Sequence, residues 1–224
     1  MYPKKDIYIL SYNIHSGLDK NMFPTLFNTM SFLKSVNSDV ICLQEVNESA
    51  KSGFQVSSFK EELGMNSYFG ANVENFGRNY GLVIYSKYPM KEKNHIYLSS
   101  NKEQRGMLHT VINVKGKKVN IINLHLGLDE TEQKIQIQEM LDYVNKLKKP
   151  YIVCGDFNKP NIKIDETILK DVAKELEKEN IITIATGLER IDYIFVSDDI
   201  EILEYDVLIE SMSDHYPIIA KLRL

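Results

Sequence analysis

YIVCGDFN, residues 151–158, reads first as a buried strand and then as a turn. Tyr151–Cys154 is an apolar run rich in strand formers, and Gly155 then breaks it, which leaves Asp156 and Asn158 on the loop that follows. The same arrangement recurs along the chain. SYN ends at Asn13, LQE at Glu45 and NLH at His125, each after an apolar run; IDYIF opens on Asp192, and SDH brings Asp214 and His215 just ahead of Pro217. Polar side chains at the ends of strands can converge on one mouth, and that recurrence is the main signal in the sequence.

Short β-branched or aromatic runs alternate with longer amphipathic segments, the pattern of a mixed α/β domain. It predicts strands over Ile7–Tyr12, Asp39–Gln44, Gly81–Ser86, Met107–Val114, Lys118–His125, Tyr151–Cys154, Asp192–Val196, Glu201–Val207 and Tyr216–Leu222. It predicts helices near Phe23–Val36, Phe54–Leu63, Thr131–Leu147 and Glu166–Glu179, and IITIAT (181–186) is strand-like. The third helix would set Ile135, Ile137, Met140, Leu141, Val144 and Leu147 on or near one face, behind an acidic first turn at Asp129 and Glu130. Val114–Val119 reads as a hairpin whose lysines form a solvated turn.

A chain of 224 residues suits one domain, 1–224, and 43% hydrophobic with 26% charged residues is ordinary for a globular protein. The formal charge of −4 gives no global basic field for polyanions. Cys42 and Cys154 lie inside apolar runs with no CxxC pairing, so they read as free buried thiols in a reducing compartment. With no signal-type segment and no apolar run long enough to span a bilayer, a cytoplasmic location without a membrane anchor is expected.

Each motif alone has a plain structural reading. Asn13 can close a turn, Glu45 can sit on the surface, His125 can be a satisfied strand-end histidine, Asp156 and Asn158 can form a turn, Asp192 can cap, and Asp214 with His215 can be loop residues. All of these readings must hold at once for the site to vanish. In this order the motifs resemble the endonuclease/exonuclease/phosphatase superfamily of DNase I-like phosphoesterases, from Ser11 to Pro217; GDFN, then IDYIF, then SDHYPI carry most of the specificity. The resemblance implies an α/β (α+β) fold, a DNase I-like four-layer sandwich of two packed mixed β-sheets flanked by helices, with the active site at one edge.

A phosphodiester anion repels a nucleophile until a cation neutralises it, and Mg²⁺ takes hard oxygen ligands. Glu45 is therefore the first metal ligand expected, with Asn13 and Asp214 near it and Mn²⁺ as the alternative ion. The resemblance implies that Asp156 orients or deprotonates the attacking water and that Asn158 holds that water or a phosphate oxygen. It implies that His215, oriented by Asp192, binds phosphate or moves a proton, and that His125 donates to a phosphate oxygen or protonates the leaving group. Asn79 or Tyr80 is expected to touch substrate. Arg105 is expected either to reach phosphate or to form a rim salt bridge.

The reaction class expected is metal-dependent hydrolysis of a phosphate ester, soluble or at a nucleic-acid end, with no obligate protein partner. Asn47–Phe54 holds one lysine and 69–80 only Arg78, few cations for gripping a duplex. A nuclease is the alternative; a lipid phosphodiesterase has less support because no apolar hairpin is visible, and a non-catalytic binding module has less because every core position is filled.

Overall fold

Twelve strands pair into two six-stranded sheets, and the strand ends predicted to carry polar residues lie along one edge of both. The computed structural model describes residues 5–75 and 77–224. The elements are β1 (Asp6–Asn13), α1 (Leu26–Val36), β2 (Val40–Glu48), α2 (Gln55–Leu63), β3 (Asn66–Asn75), β4 (Arg78–Ser86), β5 (Met90–Tyr97), β6 (Gly106–Val114), β7 (Lys117–His125), α3 (Glu130–Val144), β8 (Tyr151–Asp156), β9 (Lys170–Asp171), α4 (Val172–Glu175), β10 (Asp192–Val196), β11 (Glu201–Val207) and β12 (Ile218–Arg223).

The first sheet has the order β11-β12-β1-β2-β4-β3 and the second β5-β6-β7-β8-β10-β9. Each is mixed: β1 runs parallel to β2 and β7 parallel to β8, while the other named pairs are antiparallel. Ile9, Val40, Cys42 and Ile84 of the first sheet share one core with Leu108, Ile121, Ile152 and Cys154 of the second. The outer faces are covered separately. Leu33 of α1 and Phe59 of α2 pack with Leu43 and Val83, and Met140 and Val144 of α3 pack with Val153 and Phe195. The order is thus helix, sheet, sheet, helix, as the sequence implied. Among the described residues no helix is long and apolar enough to cross a membrane.

Differences from the predicted elements have local causes. β3 and β5 were not predicted because both are edge strands; MKEKNHIY in β5 faces solvent on most of its length and carries no apolar run. The predicted helix over Glu166–Glu179 shrinks to the four residues of α4. Leu169 is buried in the second core, Lys170 and Asp171 pair with Val196 and Phe195, and Asp171 then caps α4 by accepting from Ala173 N and Lys174 N. IITIAT makes only the single bridge Ile184–His215. β12 begins at Ile218 rather than Tyr216 because Pro217 has no N–H to give the ladder.

The buried face of α3 keeps Met140 and Val144, with Ile137, Leu141 and Leu147 packed against the same core, but it extends over polar residues and leaves Ile135 out. Glu132, Gln133, Gln136, Met140 and Val144 are buried, whereas Ile135 is 47% exposed, and the helix stops at Val144. The hairpin at Val114–Val119 forms as read: Lys115 and Gly116 both have positive φ, which suits the twist of a two-residue turn.

Gly155 holds β7 and β8 close, since a Cβ there, at φ 147°, would lie 2.0 Å from Leu124 O. The two sheets are also tied by polar groups inside the core. Gln44 Nε2 donates to Asn123 Oδ1 at 2.7 Å, and Asn123 Nδ2 donates to the carbonyls of Leu43 and Val83 at 2.9 and 3.0 Å. Asn123 is fully buried, so Asn123→Leu leaves these partners without water to replace it. Buried groups stranded in this way cost about 1–3 kcal/mol each. We expect a loss of about 3 kcal/mol in urea unfolding at unchanged m; a loss below about 1 kcal/mol would show that the tie carries little.

Candidate active site

Strand register builds the site. In the second sheet His125 at the end of β7 lies opposite Asp156 at the end of β8, and Asp156 lies opposite Asp192 at the start of antiparallel β10. Three side chains far apart in sequence become neighbours in one row. In the first sheet Asn13 ends β1, and Glu45 sits at a bulge in β2 between Leu43 and Val46 with φ 58°. A bulge re-aims a side chain, here at some cost in backbone strain.

Asn13 joins the two rows. Its Nδ2 donates to Glu45 Oε1 at 3.0 Å and to Asp156 Oδ2 at 2.9 Å, while its Oδ1 accepts from His15 N at 3.0 Å. Partners on both sides fix which way the amide points. What it offers the carboxylates is N–H, while Oδ1, with one of its two lone pairs taken by His15 N, keeps the other for the expected ligand role.

Asp156 is the centre. Asn158 N donates to its Oδ1 at 2.8 Å, and its Oδ2 lies 3.4 Å from His125 Nε2 and 3.6 Å from His215 Nε2. Burial pushes its pKa up to about 7, with Asp192 pushing the same way, against His215, Asn13 and the Asn158 N–H. His215 Nδ1 bonds Asp192 Oδ2 at 3.0 Å. Burial opposes the imidazolium, but Asp192 and Asp156 outweigh it and raise His215 to about 10. His125 goes the other way: burial, Arg105 and His215 all hold it well below the usual histidine range. One histidine is charged and the other neutral.

Asn158 Nδ2 lies 3.1 Å from His125 Nε2 and donates to Leu126 O at 3.0 Å. Arg105 pairs with Glu103 at 3.0 Å yet is largely buried, with Nη1 3.2 and 3.3 Å from the two nitrogens of His125. It forms the expected salt bridge and also sits against His125. Tyr80 also enters the cluster: burial pushes its phenol up, and the neighbouring Glu45 carboxylate, to which it hydrogen-bonds, adds to this. Asn79, opposite Glu48 and Glu74 in the sheet, is one residue out of phase with Tyr80 and points to the other face. Asp214 stands at the rim, its side chain 24% exposed, 3.6 Å from His15 Nδ1.

Several residues that position the site carried no sequence signal that was read. Ser213 Oγ donates to Asn13 O at 2.8 Å and accepts from His215 N, fastening the SDH loop to β1. Thr183 Oγ1 accepts from Ile191 N and Asp192 N, and Thr183 O accepts from Tyr216 N. On α3, Gln136 binds Gly127 N and Gln133 donates to Gly127 O and Asn158 O, bracing the loops of His125 and Asn158. A Gln-x-x-Gln pair three residues apart on one helix face was the available clue. His15, two residues after Asn13, was passed over.

Asp156, Asp192 and His215 offer ligand atoms within 4.8 Å of one another. His215 is positive and already paired with Asp192, so the donors left for a cation are oxygens: the carboxylates of Glu45, Asp156, Asp192 and Asp214, with Asn13 Oδ1. Glu45 and Asp156, joined through Asn13, with Asp192 beside Asp156, supply hard oxygen, which suits a hard divalent ion.

Residues 10–215 match the Endonuclease/Exonuclease/phosphatase family. The chain is similar to the uncharacterized protein YbhP of Escherichia coli K12, 27% identical over 172 residues that cover 67% of this chain and 66% of the relative. It is similar to a phospholipase C of Staphylococcus aureus, 25% identical over 207 residues, 79% of this chain and 61% of that one. The chain therefore spans just under two thirds of the length of these relatives. Among solved structures, an endonuclease/exonuclease/phosphatase from Beutenbergia cavernae superposes with TM-score 0.85 at 20% identity, covering 98% of this chain and 72% of its own.

The His215–Asp192 pair has a pH signature. Because the folded pKa is raised above the ordinary 6.5, the pair's stabilisation is complete below that pH and is lost as pH climbs through about 10. In chelator, the stability lost on Asp192→Asn is expected to be largest near pH 6 and to shrink toward pH 10. Urea unfolding across that range measures it, and a pH-independent loss would refute the charged pair.

Proposed function

Because the chain belongs to the endonuclease/exonuclease/phosphatase family, we propose that it hydrolyses phosphate esters with the help of a divalent cation, Mg²⁺ or Mn²⁺, held by Glu45 and the carboxylates beside it. The observation that carries this reading is geometric: Asp156 lies opposite both His125 and Asp192 in the sheet, 3.4 Å from His125 Nε2 and 3.6 Å from His215 Nε2, and shares the Asn13 amide with Glu45. A base that titrates near neutrality takes a proton from water most effectively at that pH. When bound, the cation supplies Lewis-acid neutralisation of the phosphoryl oxygens.

The chain's own residues account for the remaining steps. Asp156 accepts a proton from the attacking water while Asn158, braced by Gln133, holds the loop beside it. His215, kept charged by Asp192, donates to a phosphoryl oxygen. His125, held neutral, hydrogen-bonds to a phosphoryl oxygen, and the imidazolium of His215 is the group with a proton to give the leaving oxygen. Arg105 and Tyr80 line the same mouth.

The phospholipase C relative and the family name together support an ester hydrolase without choosing the ester. A soluble ester is favoured over duplex nucleic acid, since the loops around the mouth hold few cations. The buried free thiols Cys42 and Cys154 support a reducing, cytoplasmic setting.

The test is the purified protein with Mg²⁺ or Mn²⁺ against panels of phosphodiesters and phosphomonoesters. Glu45→Gln is expected to lower kcat at least about 100-fold and to weaken Mg²⁺ binding, with the melting temperature nearly unchanged. No turnover of any ester by the wild type with either ion would overturn the assignment.

A further inference from the structure

We propose that the cavity of about 660 Å³ between the loops that follow β1 and β2 is the subsite for the organic group of the ester, and that this group is a largely apolar alcohol. The inference rests on the phosphoesterase reading above and supplies its missing substrate class.

The cavity is lined by none of the carboxylates, but two of its wall residues belong to the segments that carry the site. Asn47 in its wall is two residues beyond Glu45, roughly 7 Å along a strand, and Gly17 is two residues beyond His15. An alkyl or aryl group long enough to extend that distance from a phosphorus held at Glu45 and Asp156 would enter it. Its size falls in the range of pockets that enclose small organic ligands.

The lining states the chemistry. Leu18, Pro24, Leu26 and Ala50 make it mainly apolar, and Lys51 is the one cation among the described residues that line it. Ser16, Asn47, Ser49, Ser52 and Gln55 also line it and the cavity opens to solvent, so an alkyl or aryl chain would lose water along the apolar part of the wall. The apolar character continues outside: Phe23, Phe27 and Phe54, on the segments that border the cavity, are 65%, 75% and 51% exposed. Large aromatic side chains left in water around an apolar opening mark a ligand or interface surface.

The cavity is also built in advance. Gln55, buried to 2%, donates from Nε2 to Ser16 O at 2.6 Å and accepts at Oε1 from Asn47 N at 2.8 Å, so one side chain ties the two loops together. Gly17, at φ 78°, keeps the wall open there, since a Cβ would meet Gln55 Nε2 at 3.0 Å. Little ordering remains to be done when a ligand enters.

The experiment compares methyl with octyl phosphate and dimethyl with methyl octyl phosphate, reading the released alcohol by mass spectrometry, in wild type and in Ala50→Phe and Leu18→Glu. Each buried methylene favours binding roughly fourfold, so the wild type is expected to prefer the octyl ester in kcat/KM by about tenfold or more. The octyl-to-methyl ratio is expected to fall at least about fivefold in either variant. Ala50 is exposed, so Ala50→Phe preserves the test if Leu18→Glu does not fold. Calorimetric binding of octyl and methyl phosphate reads the same preference without turnover; a preference kept by a protein that hydrolyses no ester would refute the phosphoesterase reading alone. Octyl esters below their micelle concentration, set against phosphatidylglycerol vesicles, separate a soluble source of the chain from a membrane one. A wild-type ratio near one, or a ratio unchanged in Ala50→Phe, would overturn the proposal.

Discussion

The buried amide of Asn13 is the contact on which the site depends, because it holds a carboxylate from each sheet at hydrogen-bond distance from a single nitrogen. Two carboxylates brought together without donors would repel each other and favour protonation of one. With both N–H groups of one amide turned to them, and the amide oxygen fixed by the backbone of His15, they are held apart from each other and near a common point. Ser213 adds the last loop by donating to the carbonyl of the same residue. Residue 13 thereby gathers β1, β2, β8 and the segment that carries His215.

Around that point the charges are deliberately unequal in kind. Asp192 and Asp156 raise one imidazole against its burial, while burial, with Arg105 and His215 acting the same way, holds the other down. Two histidines of one type thus acquire different chemistry from their neighbours alone. The raised Asp156 follows from the same crowding, since burial and a second carboxylate act on it together, and a divalent ion would relieve both.

Much of this was legible in the chain because strand ends are marked by abrupt changes from apolar to polar residues, and those changes named Glu45, His125, Asp156, Asp192 and His215 before any distance was known. The two-sheet architecture followed from the motif order rather than from periodicity. What stayed hidden was of two kinds. The edge strands β3 and β5 have no buried face strong enough to declare them, and the charged Glu166–Glu179 segment has helical spacing but is pulled into a short strand by pairing with β10. The braces were hidden for a different reason: Gln133, Gln136, Thr183 and Ser213 act on backbone groups remote in sequence, and the two glutamines bury a side of α3 that its apolar spacing does not mark. The direction of the Asn13 amide was likewise invisible, being decided by what surrounds both of its ends.

The division of the site between two sheets has a consequence for how the protein tolerates change. Glu45 and Asn13 ride on one layer and His125, Asp156 and Asp192 on the other, with Val40, Cys42, Ile152 and Cys154 packed between them. A swollen or shrunken side chain in that filling shifts the layers relative to each other by tenths of an ångström, too little to unfold either and enough to misalign hydrogen bonds spanning the gap. The rate of reaction is therefore a finer gauge of packing at the centre of this molecule than its resistance to heat, and drift in the interior is felt at the mouth before it is felt in the fold.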